Sequence, residues 1–276
     1  MKLSWPARLL LQLALAGGAF LMVTPFLYML STALTRYAYT LPFPPRIIPE
    51  APTFENFVRA WGSNHFGQYA FNSLIIAMAT VAAVVFVTSL TAYGFARFEF
   101  PGKEVLFRIL LISMMIPGIA AMIPTFLVMR DLNLIDSRIG LVTLYTAGGI
   151  AFNTFLLRGF FESLPRELEE AILVDGGGRW TIYRHVVIPL SQPALATVAI
   201  FTFLGAWDEY WWALMLIKDE AKRTLPIAIR LFQGMHATNY SLVFAASIIA
   251  LIPAILFFSF GQKYFIQGLT TGGVKG

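Results

Sequence analysis

The chain has no cysteine and three histidines, which removes disulfides and thiolate metal sites and leaves His65, His185 and His236 too scattered to share an ion. Charge is also scarce: 13% of residues carry it, about half the share usual in a water-soluble domain. No low-complexity tract or separate polar domain is visible. No G-x4-G-K-[ST] phosphate loop occurs, and Gly176-Gly177-Gly178-Arg179-Trp180 lacks the lysine that such a loop needs. Nor does a nucleophile and base pattern argue for an enzyme. The net charge of +5 is ordinary for a membrane protein and calls for no nucleic acid.

What is abundant is apolar length. A hydrophobic share of 58% and a mean hydropathy of +0.70 exceed what a soluble core and its surface require, and point to an integral membrane protein. Stretches long enough to cross a hydrocarbon core of about 30 Å run over Leu9–Leu30, Phe71–Ala96, Val105–Met129, Ile139–Leu157, Pro193–Ile217 and Ser241–Gln262. They are continuously apolar rather than alternating, so helices are expected, not barrel strands. The expectation is an all-α membrane protein, one domain over 1–276, with six transmembrane helices and both termini on one side. The first span opens like a secretory signal, with Lys2, Arg8 and Ala14-Leu15-Ala16, but its apolar run outlasts a signal core, so a retained helix is expected. Lysine and arginine divide almost evenly between the two sides, so charge bias leaves the orientation open.

Two gaps separate spans widely. The first, about 31–70, holds Pro42, Pro44, Pro45, Pro49 and Pro52, which forbid an early helix. Thr53 then suits an N-cap, and Phe54, Phe57, Val58 and Trp61 recur at helical spacing. A short interfacial helix is expected, serving either as an aromatic anchor or as a docking surface. In the second gap, about 158–192, Ser163 and Pro165 suit a helix start, and Arg166 to Asp175 mixes charge with Leu168, Ile172 and Leu173. Gly176-Gly177-Gly178 ends that helix, and a second amphipathic piece, Trp180 to Val187, leads to Pro189. A protruding elbow results, whose apolar set would lack a partner if it were merely a solvated loop.

The segment Glu170-Ala171-Ile172, Gly176, Val186, Ile188-Pro189 resembles the EAA loop of binding-protein-dependent ABC importer permeases, E-A-A-x3-G-x9-I-x-L-P. Glu170, Ala171, Gly176 and Pro189 match outright; Ile172, Val186 and Ile188 are apolar replacements. The end Gly268-Leu269-Thr270-Thr271-Gly272-Gly273-Val274-Lys275-Gly276 is similar to the G-L-T-x-G-x-V-K-G tail of the second permease subunit in maltose-type carbohydrate importers. Thr53–Phe57, Phe71–Leu74, Ala92–Arg97 with Pro101-Gly102-Lys103, and Trp207–Tyr210 are similar too.

The resemblance implies a type I ABC importer permease fold in a bacterial inner membrane, with both termini cytoplasmic. It implies half of a path for a disaccharide or maltooligosaccharide, beside a related permease in a heterodimer. An extracytoplasmic solute-binding protein delivers the sugar. The chain itself holds no cofactor; ATP and magnesium belong to an ATPase dimer. Glu170, Ala171, Asp175, Gly176, Arg179 and Pro189 would couple to that ATPase. Gly272, Gly273, Val274, Lys275 and Gly276 would either insert between its subunits or fray as a terminus.

Asp208 and Glu209 are the costliest residues within a span and face an aqueous path by default. With Trp207, Tyr210, Trp211 and Trp212 they would offer carboxylates to sugar hydroxyls and flat faces to sugar rings. Equally, the acids would pair with a helix terminus and the tryptophans would form an interface belt. Asn72 with Ser73, and Asn153 with Thr154, suit either sugar contact or hydrogen bonds between helices. Other readings are a secondary transporter with Asp208 and Glu209 as ion-coupling groups, an ABC permease for a solute such as glycerol phosphate, and a structural assembly subunit.

Overall fold

A computed structural model describes residues 4–272, apart from 37, 40, 42, 43, 45, 50, 64 and 235–237, with side chains described as far as 263. In chain order the helices are α1 Trp5–Leu34, α2 Glu55–Gly62, α3 Phe66–Arg97, α4 Lys103–Ser113, α5 Met122–Asp131, α6 Arg138–Glu162 and α7 Glu167–Val174. There follow α8 Arg179–Ile182, a π-helical turn Tyr183–Val187, α9 Ile188–Leu190, α10 Gln192–Trp207, α11 Trp211–Leu216, α12 Leu225–Leu231 and α13 Tyr240–Gly272. Strand pairing among the described residues is limited to two isolated bridges.

Among the described residues, four helices are long and apolar enough to cross a membrane: α1, α3, α6 and α13 over Tyr240–Lys263. A fifth candidate is the pair Arg179–Leu190 and Gln192–Trp207, bent by 74°. Two expected spans are therefore not single helices. Val105–Met129 breaks between Ser113 and Met122, where Pro117 has no N–H to give and disfavours helix at Ile116 before it. Pro193–Ile217 breaks after Trp207, because the Glu209 carboxylate accepts the N–H groups of Trp212 and Ala213 at 2.8 and 3.0 Å and starts α11 afresh.

The chain divides into two compact units, 1–68 with 226–252, and 69–225 with 253–276. In the first, α1 exposes nearly its whole apolar surface, burying only Ser31, Thr32 and Ala33. A helix apolar all round and unpartnered suits lipid. The short helix α2 turns Phe54, Val58 and Trp61 outward, the orientation that an aromatic anchor or a docking surface needs. Phe54 and Val58 are each 73% exposed, whereas Asn56 and Ala60 are buried. Asn56 donates from Nδ2 to the carbonyls of Ala33 and Thr35, both at 2.8 Å, satisfying acceptors that the end of α1 leaves open. Thr53 stands one place before the cap position but accepts the Glu55 N–H at 3.1 Å.

In the second unit, α3 and α6 form a core with the α8–α9 segment, centred on Val84, Leu157, Phe161, Ile182 and Val187. At its other side a loop is held by one carboxylate. Asp136 Oδ1 accepts the N–H groups of Lys218 and Asp219, and Oδ2 accepts from Lys222 Nζ at 2.8 Å. Asp136 itself has φ of 55°, which a short polar side chain tolerates better than most. The Lys222 ammonium, aided by the two N–H groups, holds the Asp136 carboxyl down to about 2, and Asp136 in turn raises Lys222.

Because folding depresses this carboxyl from 3.8 to about 2, the clamp contributes fully above the unfolded value and is lost as pH falls through the folded one. Thermal unfolding of the purified protein in detergent should therefore show an acid-side loss between those values that Asp136→Asn flattens. An unchanged acid limb in the variant would remove the clamp from the account.

Candidate functional site

The elbow begins where α6 stops. Ser163, expected as a helix start, instead donates its hydroxyl to Phe160 O and closes α6, so α7 begins at Glu167. Glu167, Glu169 and Glu170 fill its first turn, where carboxylates favour the positive helix end. Its last turn closes by two bonds, Gly177 N–H to Ile172 O at 2.8 Å and Gly176 N–H to Leu173 O at 3.1 Å. This is a Schellman end, which requires a left-handed residue; Gly176 supplies it with φ of +81°. Gly177 is needed for space, since a Cβ there would lie 2.4 Å from Ile172 Cγ2.

One face of α7 is buried, and it carries a charge. Arg97 Nε at the end of α3 donates to Glu169 Oε1, with side chains 3% and 7% exposed, and Arg97 Nη2 donates to Leu164 O. Ile172 packs beside them on the core. The other face is bare. Glu170, Ala171, Asp175 and Gly176 are exposed, as are Leu168, Leu173 and Val174, the last at 87%. Apolar side chains ringed by charge are what a docking surface presents.

The returning leg is bolted to α3 by hydroxyls. Tyr93 donates to Arg179 O at 3.1 Å, and Tyr183 and Ser89 share a hydrogen bond of 2.7 Å. Trp180 stacks on Tyr183 with centroids 5.1 Å apart, and Tyr183 meets Tyr93 in a tilted contact at 5.3 Å. Arg179 lies over the Phe98 ring at 5.6 Å. The turn at Tyr183–Val187 is π-helical, a form found mostly as single turns and often at functional sites. Pro189 is exposed just before the 74° bend.

Above this bend, α10 borders a cavity of about 740 Å³ lined by α3, the α4–α5 break, α6, α10 and α11. Among the expected path residues Asn153 lines it, with one amide proton donated to Gly149 O. Tyr145 and Trp212 also line it, and Tyr145 donates to Glu209 Oε2 at 2.7 Å. Pattern reading passed over Tyr145, since an isolated tyrosine in an apolar span has no spacing signal.

The chain break scatters the other expected residues. Trp207 is buried against Phe203 at 5.7 Å, Trp211 is 66% exposed beside Tyr210, and Asp208 is exposed. Asn72 is fully buried and donates to Ala221 O and Arg223 O at 2.9 and 2.8 Å, bracing a loop. Of the tail, Gly272 ends α13 in backbone only, and Gly273, Val274, Lys275 and Gly276 lie outside the described residues.

A model of the binding-protein-dependent transport system inner membrane component family matches residues 85–271, which include the elbow and the cavity lining apart from Thr80. The chain belongs to that family. It is 33% identical to the sulfoquinovosyl glycerol transport system permease protein of Agrobacterium fabrum, over 96% of this chain and 92% of that protein. It is 32% identical to the trehalose/maltose transport system permease protein of Thermococcus litoralis, over 98% and 97%. A crystal structure of a bacterial ABC transporter involved in import of the acidic polysaccharide alginate aligns with a TM-score of 0.83 at 26% identity, over 96% and 99%. The chain thus has the type I ABC permease fold.

Removing either member of the Arg97–Glu169 pair strands a buried charge, at a cost of about 3–5 kcal/mol, whereas replacing both with apolar residues is far milder. Glu169→Gln and Arg97→Met should each lower thermal stability in detergent sharply, and the Arg97→Met/Glu169→Leu double variant should recover most of the loss. Additive losses would show that the two side chains act independently.

Proposed function

We propose that this chain is one half of the membrane path of an ATP-driven carbohydrate importer in a bacterial cytoplasmic membrane. In this reading residues 1–276 form one permease domain that crosses six times with both termini cytoplasmic. The third and fifth crossings are the broken helices α4–α5 and α10–α11. Broken backbone inside a bilayer is tolerated where it lines a water-filled cavity, and both breaks border the same cavity. That cavity is the chain's share of the sugar path, with Asn153, Tyr145 and Trp212 at its wall. Glu209 holds Tyr145 from behind that wall, whereas Trp207, Asp208, Tyr210, Trp211 and Asn72 are not among the residues that line it.

The observation that carries the reading is the elbow: a helix with one face pinned by a buried ion pair and the other left bare, apolar and rimmed by charge. Glu170, Ala171, Asp175, Gly176, Arg179 and Pro189 would dock on an ATPase subunit that binds ATP and magnesium, with the tail 272–276 reaching the same subunits. A related permease would complete the membrane path, and a solute-binding protein, which the family's description supports, would deliver the sugar. The relatives' names favour a carbohydrate: sulfoquinovosyl glycerol, trehalose or maltose, and alginate. Of the two carboxylates that an ion-coupled carrier would use, Glu209 is occupied by two N–H groups and a tyrosine, and Asp208 is exposed and does not line the cavity.

Glu170→Lys reverses charge on the bare face, and Gly176→Val forces a β-branched residue into a left-handed position. Both variants should insert normally but lose at least about 90% of saccharide-stimulated ATP hydrolysis, roughly 1.4 kcal/mol or more of coupling. Full stimulation in both would refute the docking role. Isolation from native membranes should yield a second permease and an ATPase, and a stable homodimer lacking both would contradict the assembly.

A further inference from the structure

The cavity wall has a one-sided chemistry. Its polar side chains are Thr80, Ser113, Thr125, Tyr145, Asn153 and Thr202, and Trp212 adds a flat face; among the described residues no lysine, arginine or histidine lines it. The Thr80 hydroxyl is buried within this wall and has no hydrogen-bond partner among the described residues. The Tyr145 hydroxyl spends its proton on Glu209, leaving lone pairs to accept a hydrogen bond, with a carboxylate immediately behind.

Resting on the importer reading above, we infer that the wall contributed by this chain admits neutral saccharides and turns away anionic ones. A sugar hydroxyl can donate to Tyr145 and accept from the threonines and Asn153, and a pyranose face can lie on Trp212. A carboxylate or sulfonate would lose its water, meet the lone pairs of Tyr145 and the charge of Glu209, and find no cation in compensation. An unpaired charge in such a site is strongly disfavoured. The distinction matters within this family, because relatives are named for an acidic polysaccharide and a sulfonated sugar as well as for neutral disaccharides.

The test uses the complete importer, with its partner permease and ATPase, in lipid nanodiscs without a binding protein, so that the cavity alone discriminates. Maltotriose and trigalacturonate, each of three rings, are compared by saturation-transfer NMR. Maltotriose should bind at least about tenfold more tightly, and Thr202→Lys should raise trigalacturonate affinity at least about fivefold by supplying a cation. Trigalacturonate binding the wild type as well as maltotriose does would overturn the inference while leaving carbohydrate import intact. Exclusion that Thr202→Lys fails to relax would move the selectivity off this chain and overturn it equally. Failure of both saccharides to bind, together with no stimulation of ATP hydrolysis by any saccharide-loaded binding protein, would remove the importer reading itself.

Discussion

The pairing of Arg97 with Glu169 is the constraint on which the elbow depends. Two charges with almost no exposure cannot separate without one of them losing its compensation, so the start of α7 is tied to the end of α3 in a single arrangement. Arg97 also holds the Leu164 carbonyl, fixing the turn that leads into α7. Tyr93, one turn earlier on α3, holds Arg179 O on the returning leg. Both legs of the elbow therefore hang from about the last two and a half turns of one helix, Ser89 to Arg97. The hydrophobic contacts of Ile172, Ile182 and Val187 add attraction but little direction; the hydrogen-bonded polar groups select the geometry.

A second constraint acts where α10 gives way to α11. Backbone N–H groups freed by a helix break need acceptors when water is scarce. Glu209 provides them for Trp212 and Ala213, and Tyr145 neutralises part of the carboxylate's remaining demand. The same side chain that makes this stretch costly in a bilayer thus makes the break possible. At the α4–α5 break the agent is different: Pro117 withholds an N–H, and its carbonyl accepts from Ala120 and Ala121. One break is built by an added acceptor and the other by a missing donor.

Much of this was legible in residues alone. Continuous apolar runs located α1, α3, α6 and the start of α13 within about five residues, and the glycine triplet marked the end of α7 together with the left-handed Gly176. What pattern could not resolve was pairing between distant segments. Nothing in Tyr93-Gly94-Phe95-Ala96-Arg97 names Glu169 as a partner, because an arginine at a helix end is equally at home in water. On α2 the aromatic spacing marked the outward face, but nothing in it named the carbonyls of Ala33 and Thr35 as the partners of the buried Asn56. The two broken spans were missed because hydropathy averages over the very residues, Pro117 and Glu209, that interrupt the helix.

The bend at Ser191 joins these two constraints into one device. The helix α10 begins at the 74° bend, directly after the elbow's returning leg, and its Thr202, Gly205 and Ala206 line the cavity. Its 16 residues make a rod of about 24 Å, since each residue rises 1.5 Å. A tilt of about 10° at one end displaces the other by about 4 Å on that length, more than the separation of hydrogen-bonded atoms. Such a displacement would dissolve contacts to an occupant without unfolding any helix. Under the proposed coupling role, the bonds that pin the elbow to α3 would carry force on its bare face into relative motion of α3 and α10. Those are two of the helices that wall the cavity.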